Sequence, residues 1–394
     1  MIDQKKDFVS KEGGANKKPD FTAVKEYMDT LLLQHDLPSG DIIVYHKGQQ
    51  VFRYLVGYAD GAKETPLAED ALYALYSCSK PITVAAVLQM MERGLLNLDD
   101  LVMKYLPEYA QAYVVEEGEK VVVGHTMTVR HLMTMSAGLD YNLSKTALVE
   151  LRQRKPAATT REVVASFVQE PLLFCPGARW EYSLCLDVLV AVAEVASGQN
   201  FGKYLRENIV SPLGTKDITF WPNEEQRSRI AAQYVCTQEK KLVEIERDIG
   251  EFLLSDRYES GGAGLYATTE ALGRFVAAMS CGGIISDGTR ILDADTVRLM
   301  HTEQLRGFLD NPAYSNNGLN YGYGLGVRTL LNQDNGVPSH VGEFGWCGAA
   351  GSYVLMDTDA EVGITYCQHT KWWPVLYFDI HNKLRDLVYA ALGV

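Results

Sequence analysis

The stretch of this chain best suited to covalent chemistry is Ser77-Cys78-Ser79-Lys80. Ser77 and Lys80 are three residues apart, so a helix would place both side chains on one face, a turn apart. A serine hydroxyl is a weak nucleophile until an adjacent base takes its proton. Lysine becomes such a base when burial disfavours its charged form. A helix starting at Ser77 would also bring the partial positive charge of its N-terminus to the serine oxygen. Ser-x-x-Lys arises by chance in many chains, so context has to decide. Here the pair sits where a strand-like run, Ala71–Tyr76, meets an apolar helix, and polar groups are costly to bury there without partners.

The surrounding elements fit a positioned pair. Pro81 suits the first turn of a helix and Gly94 its end. The residues between them are apolar nearly all round, which predicts a buried helix. A serine–lysine pair also needs a group that moves protons to the leaving atom. Among 22 tyrosines, Tyr182 stands out because it follows the Cys175-Pro176-Gly177 turn and precedes a helix. A cation beside it would lower its pKa. Acyl transfer further needs backbone N–H groups for the developing oxyanion. The glycine-rich run Phe344–Gly351 before the strand at Ser352 allows close backbone approach, though an ordinary hairpin would read the same way.

Length and composition bound the class. A chain of 394 residues with 47% hydrophobic content can bury a large core. Its net charge of −13 argues against nucleic acid and against anionic lipid as partners. No run approaches a membrane span, and the start, Met1–Asp7, has no apolar leader segment. The seven cysteines are scattered, with no C-x-x-C spacing, which fits reduced thiols in a cytoplasm. No H-E-x-x-H pattern is present, and His125 and His131 are wrongly spaced for one helix face, so no metal is expected. Glu259–Leu265 is glycine-rich but lacks the G-x-G-x-x-G spacing and the Walker lysine, so no nucleotide cofactor is expected either. A G-x-S-x-G elbow is absent.

In chain order, residues 1–19 read as a loose arm and 20–35 as an amphipathic helix. Asp41–His46 and Val51–Gly57 flank Lys47-Gly48 as a hairpin. Helices follow at 128–135, 159–169 and 186–209, the last with an apolar face ending at Gly198. Beyond about 215, a helix at 268–281, strands at Tyr321–Val327, Ser352–Met356 and Val362–Cys367, and a terminal helix at 377–392 are expected. The pattern is a sheet built from both chain ends (20–76 and 215–394), with a mostly helical region, 77–214, inserted between.

Taken together, several ordered blocks resemble one family. They are Ser77-Cys78-Ser79-Lys80-Pro81-Ile82-Thr83, Leu95–Asp100, Tyr105-Leu106-Pro107, Thr128–Leu132 with Ser136-Ala137-Gly138-Leu139, and Tyr182-Ser183-Leu184. Gly261–Leu265, Tyr321–Gly326 and Phe344–Gly348 complete the set. The chain resembles the serine β-lactamase and penicillin-binding-protein superfamily, on its class C β-lactamase-like esterase branch, over roughly residues 20–392. That resemblance implies an α+β fold with a central antiparallel sheet, flanking helices and a helical domain, the active site lying in the seam. It implies Ser77 as nucleophile, Lys80 as its activator, Tyr182 as general base and acid, and the N–H groups of Ser77 and Ala349 as oxyanion hole. The third motif, Lys-Thr-Gly in β-lactamases, is matched by Trp346-Cys347-Gly348, with His340-Val341-Gly342 also fitting.

Two departures bear on substrate. Leu184 stands where β-lactamases carry the asparagine of Tyr-x-Asn, and the third motif lacks its lysine. The amide and the cationic grip on a carboxylate are both gone, which points to small neutral esters or amides bound along Leu184, Trp346, Cys347 and Gly348. The expected activity is a carboxylesterase-type serine hydrolase. A β-lactamase, D-amino-acid peptidase or acyltransferase, and a catalytically silent scaffold on the same fold, are the alternatives.

Overall fold

The computed structural model describes residues 18–35, 37–245, 252–305, 321–334 and 336–394. Most of the expected arm, 1–19, lies outside them.

Seven strands form one antiparallel sheet. Across it they run Tyr321–Tyr323, Arg328–Leu330, Phe344–Cys347, Tyr353–Asp357, Val362–Cys367, Ser39–His46 and Gln49–Gly57. Both chain ends thus supply strands, as the sequence leads one to expect. Lys47 and Gly48 turn the first hairpin with φ of 53° and 71°, the left-handed pair whose twist matches that of two joined strands. Side chains alternate across the sheet. Ile42 and Val44 pack under the helices Thr22–His35 and His381–Leu392. Ile43 and Tyr45 face Ala277 of the helix Thr269–Ser280 on the other side. Val24, Met28 and Leu31 of the first helix are fully buried at helical spacing.

The helix Ser79–Glu92 runs through the protein with every residue from Ser79 to Met90 buried. Its polar members are satisfied. Thr83 Oγ1 donates to Gly261 O at 2.8 Å, and Gln89 Nε2 donates to Ile291 O at 2.8 Å. One apolar cluster joins Val84 and Leu88 of this helix to Leu186, Leu189, Phe275, Tyr323 and Met356. The middle helices and one face of the sheet therefore share a core.

Three expectations need correction. The buried helix begins at Ser79, and Ser77 lies on a preceding 3₁₀ turn, Tyr76–Cys78. Tyr76 has φ +46°, which turns the chain too sharply for a helix to start there. Residues 186–209 are not continuous: the helix Cys185–Ser197 ends on Gly198 at φ +70°, and Asn200 caps a new one at Phe201. The run Phe344–Cys347 is a central strand rather than only a loop. Among the described residues no helix is long and apolar enough to cross a membrane.

Candidate active site

Ser77 is placed by clamps on both sides of its turn. The strand Leu72–Ala74 pairs with Tyr266–Thr268, and Leu75 N then donates to Leu265 O at 2.9 Å. Leu75 O accepts from Ser352 Oγ at 2.9 Å, and Ser79 Oγ accepts from Leu265 N at 3.1 Å. Tyr76 is held in the left-handed region, a strain of roughly 1–3 kcal/mol for a residue with a side chain. Its hydroxyl accepts from Gln233 Nε2 at 2.6 Å. In the run 71–80 only Ser77 keeps appreciable exposure.

Lys80 is fully buried beneath it. Its Nζ lies 3.3 Å from Ser77 Oγ and 3.1 Å from the Tyr141 hydroxyl, and donates to Gly262 O at 2.8 Å. Burial pulls its pKa down to about 7, against the opposing pull of the Asp187 carboxylate. A carbonyl only accepts, so one lysine hydrogen is committed to Gly262. The lone pair of neutral Lys80 then faces a hydroxyl, and Ser77 is within reach. Asp187 is itself buried and accepts from Tyr258 and Ser260 hydroxyls at 2.6 Å each. Ser260 Oγ in turn accepts from Ala263 N at 3.1 Å, so Asp187 anchors the glycine turn that presents Gly262 O. A Cβ at Gly262 would stand 2.9 Å from Asp187 Oδ2 and 3.3 Å from Lys80 Nζ, and glycine permits that approach.

Tyr182 closes the cluster. Its hydroxyl donates to Ser77 Oγ at 2.7 Å and accepts from Trp346 Nε1 at 3.2 Å. The two rings stack at 5.6 Å, and Lys80 Nζ lies 4.6 Å from the Tyr182 ring centre. The expectation that a neighbouring cation lowers the Tyr182 pKa is not met. Burial dominates and pushes the phenol above its ordinary value.

The remaining expected residues divide. Trp346 reaches the cluster, whereas His340 is half exposed and sits 3.0 Å from Asp357. Cys347 points across the strand to the cluster under the terminal helices. Gly348 lies where a Cβ would be 2.2 Å from Leu75 O, so the turn after Trp346 presses on the turn carrying Ser77. Ala349 packs beside Tyr76. Leu184, 4% exposed, is enclosed in the central core and offers little surface to a ligand.

Sequence reasoning did not single out Tyr141, Asp187 or the carbonyl of Gly262. Asp187 carried one readable signal, a carboxylate in the first turn of a helix, followed by the apolar run Val188–Ala193. Tyr141 carried none.

A family model described as Beta-lactamase matches residues 22–376, and the chain belongs to that family. Esterase EstB of Burkholderia gladioli is 28% identical over 392 residues, 92% of this chain and 93% of that protein. Monacolin J acid methylbutanoyltransferase of Aspergillus terreus is 28% identical over 353 residues, 82% and 83% of the two chains. The solved structure of EstCE1, a hydrolase with promiscuous acyltransferase activity, matches with a TM-score of 0.77 at 24% identity, over 94% of this chain and 98% of that one. The α+β, β-lactamase-like fold is the one expected.

Proposed function

We propose that this serine hydrolase is a carboxylesterase acting on small neutral esters through an acyl-enzyme on Ser77. The observation that carries this reading is Ser77 Oγ set between Lys80 Nζ and the Tyr182 hydroxyl, with the lysine pKa held near the working pH. The name of the EstB relative supports it. Seven free cysteines support a cytoplasmic setting.

In acylation, neutral Lys80 takes the Ser77 proton as Oγ bonds to the ester carbon. The carbonyl electron pair moves to oxygen, towards the N–H groups of Ser77 and Ala349. The intermediate collapses, the bond to the alcohol breaks, and the leaving oxygen takes the Tyr182 proton. Burial raises the phenol towards an alcohol but not past it, so the departing alkoxide is the stronger base and takes this proton. The phenolate left behind is countered by the Lys80 ammonium and the Trp346 N–H. In deacylation it takes a proton from water as the hydroxyl attacks, and Lys80 returns its proton to the departing Ser77 oxygen. All groups end as they began.

Tyr182→Phe should therefore depend on the leaving group. For alkyl esters kcat falls by roughly 10²–10⁴-fold. For p-nitrophenyl esters, whose leaving group departs without a proton, the acylation step falls less. Equal losses in acylation for both ester types would remove Tyr182 from the leaving-group step.

The second reading, transfer of the acyl group to another alcohol, is favoured by the acyltransferase relative. Product analysis with added alcohols separates it from hydrolysis. The test of the whole proposal is intact-protein mass after treatment with a fluorophosphonate, alongside turnover of short-chain p-nitrophenyl esters. One adduct with turnover supports it. Folded protein with neither would be a silent scaffold.

A further inference from the structure

The turn Gly348–Gly351 is gripped on one side, through its carbonyl oxygens. The Tyr377 hydroxyl donates to Ala349 O at 2.8 Å and lies 3.2 Å from Gly348 O. Thr370 N donates to Ala350 O at 3.0 Å, and Gln368 Nε2 donates to the same oxygen. His381 Nε2 lies 3.1 Å from Gly351 O. Tyr377 and His381 come from the last helical segment, Leu376–Ile380 and His381–Leu392.

A trans peptide is planar, with its C=O and N–H on opposite edges. Fixing Gly348 O on Tyr377 turns the Ala349 N–H the other way. Fixing Ala349 O does the same for the Ala350 N–H. That other side holds the nucleophile turn. Ala349 and Ala350 pack with Tyr76, and Gly348 abuts Leu75 O. Among the described residues, neither the Ala349 nor the Ala350 N–H donates to a protein acceptor. Gly348 O has a second partner in Gly351 N at 2.8 Å, whereas Ala349 O has Tyr377.

We infer that Tyr377 is a positioning residue for the oxyanion site: its hydroxyl orients the two peptides flanking Ala349, whose N–H group faces the substrate oxygen at Ser77. The inference rests on the proposed acyl chemistry and adds a residue from the chain's end to it. The family match stops at residue 376, so Tyr377 lies just beyond the matched region. Burial keeps its phenol protonated, hence a donor, across the working pH range. Preorganised donors count because they need no reorientation as charge develops. A turn free to rotate its peptides would lose that advantage.

The test compares Tyr377→Phe and Tyr377→Leu with the unmodified protein. Four quantities are read: kcat and KM for a short-chain p-nitrophenyl ester, the rate of phosphonylation by a fluorophosphonate, and the melting temperature. Tyr377→Phe should melt within a few degrees of the wild type, the cost of one lost hydrogen bond, and keep KM within about twofold. Its kcat should fall roughly 10-fold, less than the 10²–10³ lost with a whole oxyanion donor. Phosphonylation should slow by a similar factor, because the phosphonyl oxygen uses the same N–H groups. Tyr377→Leu should melt lower yet lose no more kcat than Tyr377→Phe. Wild-type kcat in Tyr377→Phe overturns the inference, as does a kcat that follows melting temperature rather than the hydroxyl. Wild-type protein inert to both probes sinks the acyl chemistry itself, a result seen before any variant is made.

Discussion

Ser77→Ala should fold normally, take up no phosphonyl group and turn over esters on the order of 10⁵–10⁶ times more slowly. The fold should survive because Ser77 is only partly buried, and the change forfeits the hydrogen bonds of its hydroxyl with Tyr182 and Lys80, a loss of about 0.5–1.5 kcal/mol each. The chemistry should not survive, because no neighbour can take over. Ser79 is fully buried and its oxygen accepts from Leu265 N. Cys78 is also fully buried, its thiol is pushed up to about 12 by desolvation, and it points to Trp346 O. The hydroxyl of Ser79 and the thiol of Cys78 are thus structural. Labelling by intact mass and peptide mapping decides the matter. An adduct that persists in Ser77→Ala, or maps elsewhere, would remove Ser77 from the reaction.

How far this site could be read in advance follows from the range of each interaction. Ser77 and Lys80 were legible because a spacing of three is a local signal. The sharper detail, a 3₁₀ turn before the helix, was not. It depends on Tyr76 being held at φ +46° by contacts with residues nearly two hundred positions or more away, such as Leu265 and Ser352. Tyr182 was singled out by its place between a turn and a helix, and its role, like that of Trp346, by resemblance to a family. The direction of the Tyr182 pKa was misread because proximity of a cation is visible in a motif and depth of burial is not. Gly262 stood in a glycine run that invited a phosphate-loop comparison. Its use, offering a carbonyl to a buried lysine 182 residues earlier in the chain, is a tertiary fact. Tyr141 belongs to the same class.

The sheet shows the same division. Val362–Cys367 and the first hairpin carry dense apolar runs and were read as strands. Phe344–Cys347 has a glycine and no clean alternation, so only its pairing with Tyr353–Asp357 reveals it. Leu184 was placed at a substrate because a motif position implied it. The start of the Cys185–Ser197 helix instead turns it into the core.

Lys80→Met should lower kcat/KM towards the upper end of the 10²–10⁴ range for a lost general base, since the same group also returns the proton to Ser77. In the wild type, kcat/KM should rise with pH through about 7 and then level, because acylation needs the neutral lysine. The tyrosines and cysteines around Lys80 do not obscure this limb. Tyr141, Tyr182, Cys78, Cys185 and Cys347 are all shifted upward by burial. Asp187 is raised from the carboxylate range, and its two hydroxyl donors stabilise the charged form.

The same shift makes a second, independent claim about stability. Between about 7 and the ordinary lysine value of 10.5, the unfolded chain binds a proton at Lys80 that the folded protein does not. Stability from this residue therefore rises with pH across that window, with a slope of up to about 1.4 kcal/mol per unit. Below about 7 both states are protonated, and the penalty for burying the ammonium is at its largest. Lys80→Met removes the proton altogether. Its melting temperature relative to wild type should be most favourable at or below neutral pH and decline steadily towards pH 10. The difference is diagnostic because other titrating groups are common to both proteins. A wild-type-minus-variant difference independent of pH would mean that Lys80 keeps an ordinary pKa, and a serine activated by neutral lysine would then have to be abandoned even if the enzyme were active.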